Sequence, residues 1–131
     1  MGVEAAGEPT SLDPHLVDDG GERAINDNIY ETLLARTPDG ELVPSLATDL
    51  PTMVDDTTWE FTLRDDVTFH DGEPFNAEAV CYNFERMFDQ NEAGQVAGEY
   101  WGYVMGAFSN DAENSLYQGC EATDEFEAVI T

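Results

Sequence analysis

At 131 residues the chain is long enough for one domain and too short for two well-packed ones, and its 41% hydrophobic content allows a real core. Against 4 arginines and no lysine stand 29 acidic residues, a formal net charge of −25 that disfavours binding to phosphate backbones or anionic membrane surfaces. No apolar stretch approaches the roughly 18 residues of a transmembrane helix.

The first 20 residues are rich in turn formers, among them Pro9, Ser11, Asp13, Pro14 and Asp18-Asp19-Gly20, and predict a loop. Ile25, Ile29 and Leu33 recur every four residues, with Tyr30 and Leu34 widening the stripe, so a helix is expected from about Glu22 to Ala35. Asp19 and Glu22 stand three apart before it, as in a capping box. Asp39-Gly40 predicts a hairpin turn between Leu34-Ala35-Arg36-Thr37 and Glu41-Leu42-Val43, which Pro44 ends. Ser45-Leu46-Ala47-Thr48 is expected to form a single helical turn.

A second hairpin runs from Met53-Val54 through Asp55-Asp56-Thr57 into a strand where Trp59, Phe61 and Leu63 alternate with Glu60 and Thr62. Val67 and Phe69 continue the strand character, and His70-Asp71-Gly72 turns the chain. Asn76 is a suitable N-cap for a helix to about Phe88, with Val80, Phe84, Met87 and Phe88 on its buried face. The stretch 90–115 reads as irregular structure. Its aromatics Tyr100, Trp101 and Tyr103 are expected in the core or between lobes, and Phe108 as a further anchor. Tyr117–Glu121 and Phe126–Ile130 read as two closing strands.

No motif proposes catalysis. His15 and His70, the only histidines, lie in separate turns and read as solvated. The pairs Asp18/Asp19, Asp55/Asp56 and Asp65/Asp66 sit in turns, where adjacent acids point apart, whereas acid–base work needs two carboxylates in different environments. No stretch matches a calcium-binding EF-hand loop, and there is no Walker motif, GxGxxG or GxSxG. Neither Cys81 nor Cys120 lies in a CxxC pair or beside a histidine, which argues against zinc and leaves two buried thiols or one disulfide.

The order of blocks carries more than any one residue. Glu8-Pro9-Thr10-Ser11-Leu12-Asp13-Pro14-His15 is followed by Asn28-Ile29-Tyr30-Glu31-Thr32-Leu33, then by Asp39-Gly40-Glu41-Leu42-Val43-Pro44-Ser45-Leu46-Ala47. Trp59-Glu60-Phe61-Thr62-Leu63-Arg64 comes next, and Phe69-His70-Asp71-Gly72-Glu73-Pro74-Phe75-Asn76-Ala77-Glu78-Ala79-Val80 last. Across residues 8–90 this series resembles the start of the family 5 extracellular solute-binding proteins, the dipeptide- and oligopeptide-binding group.

The resemblance implies an α/β fragment of a bilobal periplasmic-binding-protein fold of class II, mainly its small extra N-terminal domain, with hairpins packed on helices. Residues 1–32 would begin the large N-terminal lobe and residues 33–131 would form the small extra α/β domain of a longer chain. The implied function is the solute-binding component of an ABC importer. It would capture peptides or a related small solute outside the membrane, in a periplasm or on a lipid anchor, and hand them as a monomer to the permease and ATPase. No enzyme activity, cofactor or metal is implied. Counted without gaps from Leu12, Asp18 and Gly20 fall on ligand-contacting positions of relatives, which makes Asp18, Asp19 and Gly20 the candidate ligand-binding residues. An extracytoplasmic setting also implies a Cys81–Cys120 disulfide. The alternatives are a sensor or adhesion module on the same fold and a carboxylate-dependent hydrolase.

Overall fold

A computed structural model describes residues 9–16 and 20–131. In chain order its elements are α1 (Gly20–Asn26), β1 (Leu34–Arg36), β2 (Leu42–Pro44), β3 (Thr52–Met53), β4 (Trp59–Thr62), α2 (Ala77–Phe88), α3 (Glu92–Ala97), α4 (Glu99–Met105), a 3-10 turn (Ser109–Asn114), β5 (Cys120–Asp124) and β6 (Glu127–Ile130). They fall into two compact units. One takes the chain up to Glu31 together with Met87–Ser115, and the other takes Thr32–Arg86 and Leu116–Thr131.

The second unit is built on a four-stranded antiparallel sheet in the order β3-β4-β6-β5. Period-two alternation sets its register: Phe61 faces Ala128 across β4 and β6, and Ala122 faces the same Ala128 from β5. Leu63, Phe75, Ala77, Val80, Cys81 and Ala128 form its core, with Phe61, Phe84 and Phe126 packed against them. Ala77 and Ala128 are fully buried, and their small side chains let helix and strand approach closely. The Asn76 side chain accepts a hydrogen bond from the Ala79 amide at 2.9 Å and so starts α2 as a cap.

The loop strands are tied into the same core. Ala47 and Leu63 form a β-bridge, Thr48 N donates to Thr62 O at 2.9 Å, and Arg64 N donates to Leu46 O at 3.0 Å. Leu63 N donates to Phe126 O at 2.8 Å, and Ala77 N donates to Glu125 O at 2.9 Å, so the β5–β6 turn serves both strand and helix. Beneath α2, Phe84 stacks on Tyr117, whose hydroxyl donates to Glu85 at 2.8 Å. The Cys81 and Cys120 sulfurs are bonded, with Cα atoms 5.1 Å apart, joining α2 to the edge strand β5.

Five expectations require correction. The helix expected to Ala35 ends at Asn26, because residues 32–36 are claimed by other partners: the Leu33 carbonyl accepts from Ser45 and Ala47, and Leu34 pairs with Pro44. Tertiary pairing here outweighs an apolar period of four. The same pairing leaves no helical turn at 45–48. Beyond Leu63 the chain makes only an isolated bridge, Thr68 to Pro74, and no continued strand. The stretch read as irregular holds α3, α4 and a 3-10 turn; Asn91 caps α3 by accepting from Gly94 N at 3.0 Å. The first closing strand begins at Cys120, three residues later than Tyr117.

Truncating Leu63, which is 3% exposed, to alanine should cost about 2–5 kcal/mol in denaturant unfolding. Mass spectrometry of unreduced protein should find both thiols blocked. Reduction should destabilise the fold by roughly 3–4 kcal/mol, the chain-entropy value for a loop of this size.

Candidate functional site

Within the first unit, α1 and the loop before it fold on each other through polar contacts. The Glu22 carboxylate is buried and accepts from both the backbone amide and the hydroxyl of Thr10, the latter at 2.7 Å. Glu22 therefore pins the loop, and the expected capping box with Asp19 lies outside the described residues. Asp13 turns the chain, with Leu16 N donating to its carbonyl at 3.1 Å and His15 N to its side chain at 3.1 Å. The Tyr30 hydroxyl reaches back to the Leu12 carbonyl at 3.0 Å. One helical turn from Glu22, the Asn26 amide is buried with neither polar atom hydrogen-bonded.

Of the three expected ligand contacts, Gly20 is the exposed first residue of α1. A Cβ placed there would meet no atom within 4 Å, so its backbone is open to approach. Asp18 and Asp19 lie outside the described residues.

The outer sides of α3 and α4 differ from the sequence expectation of core or between-lobe aromatics. Trp101 turns inward and donates from Nε1 to the Ala107 carbonyl at 3.0 Å, and Phe108 is buried. Tyr100 and Tyr103 instead stand exposed beside Val96 and Val104, so they are not core residues of this chain. Spacings of three and one place Tyr100, Tyr103 and Val104 on a single face of α4, while Val96 belongs to α3 beyond the break at Gly98. That pattern is visible in the sequence once the segment is recognised as helical. The glycines at 94, 98, 102 and 106 obscured it.

The acidic turns behave as solvated structure. Asp55 and Asp56 are exposed, as are Asp65 and Asp66, and among the described residues no group of three or more histidine, cysteine or acidic side chains could hold a metal ion. His70 is exposed in its turn. The Thr57 backbone N–H, with the Thr58 hydroxyl next in weight, holds the Asp55 carboxyl below its ordinary value of 3.8. Asp66 is lowered chiefly by its hydrogen bond from Arg64, which contacts both carboxylate oxygens at 2.9 and 3.1 Å. Both groups favour the folded state in their charged form. Their contribution is therefore present above pH 3.8 and is lost as pH falls through the depressed folded values. Carboxyl-detected NMR should find Asp55 and Asp66 still charged at a pH where an unperturbed aspartate is half protonated.

Comparison with known proteins places this architecture. The family model described as bacterial extracellular solute-binding proteins, family 5 Middle, matches residues 41–131. The nickel-binding periplasmic protein of Escherichia coli (strain K12) is 41% identical over 81 residues, which cover 62% of this chain and 15% of that protein. The periplasmic oligopeptide-binding protein OppA of the same strain is 33% identical over 100 residues, covering 76% of this chain and 18% of the relative. The solved structure of the Escherichia coli murein tripeptide binding protein MppA superposes with a TM-score of 0.75 at 28% identity, over 95% of this chain and 25% of that one. The chain thus spans a quarter or less of the length of these relatives, and its mixed helix-and-sheet fold matches a portion of the periplasmic-binding-protein fold. The chain belongs to the bacterial extracellular solute-binding proteins of family 5.

Proposed function

We propose that the full-length protein is the solute-capturing component of an ABC importer and that its solute is a peptide. The observation that carries this reading is the superposition on a tripeptide-binding protein over 95% of the chain, together with the oligopeptide-binding relative. The protein contributes binding free energy and no bond chemistry. It works outside the cytoplasmic membrane, in a periplasm or held by a lipid anchor, as a monomer that hands its load to a permease and its ATPase. A Cys81–Cys120 disulfide suits that oxidising setting.

Residues 1–32 open the larger lobe in this reading. The compact unit that begins at Thr32 supports a boundary there, while Met87–Ser115 groups with the N-terminal segment. Asp18, Asp19 and Gly20 line the cleft: the carboxylates meet a basic group, and the open backbone of Gly20 bonds an extended peptide. A closed cleft excludes water by drawing contacts from two walls, so these 131 residues alone bind weakly.

Calorimetry of the full-length protein should register heat with short peptides. Replacing both acids, D18N/D19N, should weaken binding of peptides with a basic side chain by about tenfold or more, the loss of a charge-assisted hydrogen bond. Titrations silent across a peptide library would reject the peptide assignment. Heat with nickel ions alone would move the solute to the metal bound by the nickel-binding relative.

A further inference from the structure

No strand of the four-stranded sheet carries a basic residue: β3 reads TM, β4 WEFT, β5 CEATD and β6 EAVI. The acids of these strands gather on one side. Ala128 is fully buried in the core, so the period of two turns Glu127 and Val129 to the opposite, outer face of β6. Glu60 of β4 and Glu121 of β5 flank Val129 from either side, and Asp124 stands directly opposite Glu127. Directly paired residues share a face, so Glu60, Glu121, Asp124 and Glu127 lie on one outer surface. Glu121, Asp124 and Glu127 are exposed there, and Glu60 is half-buried.

Spacing decides what these charges do. Strand separation puts Asp124 and Glu127 about 5 Å apart and Glu60 and Glu121 about 10 Å apart across β6. The Debye length is about 10 Å at 0.1 M salt and about 3 Å at 1 M. Repulsion across the face therefore persists in dilute buffer and is screened out in molar salt. Little attraction is screened away in return, since the chain has 4 arginines for 29 acids. Arg36 bonds a carbonyl in its own hairpin, and Arg64 pairs with Asp66 beyond the end of β4. The contact bond that Asp124 accepts from Glu125 N at 2.7 Å is too short for mobile ions to screen. Because β6 lies between β4 and β5, loosening this face loosens the pairing on which the core is built.

We propose that the outer face bearing Glu60, Glu121, Asp124 and Glu127 makes the sheet salt-sensitive: its strands pair fully only where electrolyte screens them, which fits the protein to a medium of molar salt. Sheet register and charge carry this reading, so a failed peptide titration leaves it standing. Hydrogen exchange of the full-length protein, followed by mass spectrometry at the β4 and β6 amides from about 0.1 M to about 3 M KCl, provides the test. Protection there should rise about tenfold or more and level off near 1 M, where screening is nearly complete. The variant E60Q/E121Q/E127Q should be protected already in dilute salt and gain several-fold less. Protection that does not rise with salt would overturn the inference. A rise that continues linearly to the highest concentration, or one of equal size in the variant, marks salting-out and also overturns it. Should the variant fail to fold, the shape of the wild-type curve decides by itself.

Discussion

The position of β6 between β4 and β5 governs the four-stranded sheet. Strands that close the sequence are thereby inserted beside a strand formed some seventy positions earlier, with Trp59 opposite Ile130 and Thr62 opposite Glu127. Once this pairing forms, Ala128 lies at the centre of the sheet and α2 can settle on it through Ala77, Val80 and Cys81. The bonds from Leu63 N to Phe126 O and from Ala77 N to Glu125 O depend on the same turn being in place. Closing so long a loop is an entropic cost that local propensity does not offset, and the bonded cysteines lower it by limiting the unfolded chain.

The acidic character shapes what this core can be. With only four arginines, the surface carboxylates have few internal counter-charges; Arg64 is spent on its near neighbour Asp66, and Arg36 bonds the Gly40 carbonyl in its own hairpin. Exposed pairs of this kind contribute little. Cohesion therefore falls on apolar packing and backbone pairing, while many carboxylates do local work. Asp55 bonds the Thr57 amide, Asp71 the Glu73 amide and Asp124 the Glu125 amide. These are turn functions, and they account for part of the abundance of acids in this sequence.

In the first unit the balance is different. A buried carboxylate, Glu22, holds the N-terminal loop through Thr10, and an amide, Asn26, lies buried one turn away. The loop is thus positioned by directional bonds, a means of fixing backbone that leaves Gly20 open at the helix start.

The sequence by itself determined the local chemistry: the inward Phe61 and Leu63 of the alternating strand, though not Trp59, which stands exposed, the Asn76 cap, the turn at Asp39-Gly40 and the family series from Glu8 to Val80. Each depends on neighbours a few residues apart, and period two or a capping side chain is visible without knowing the fold. Tertiary structure decided the rest. Leu33 and Leu34 follow a helical period yet serve a strand, because Ser45, Ala47 and Pro44 meet them there. Tyr100 and Trp101 are adjacent aromatics with opposite fates, one exposed and one turned inward, because helix geometry sends consecutive side chains about 100° apart and only packing chooses which side is inside.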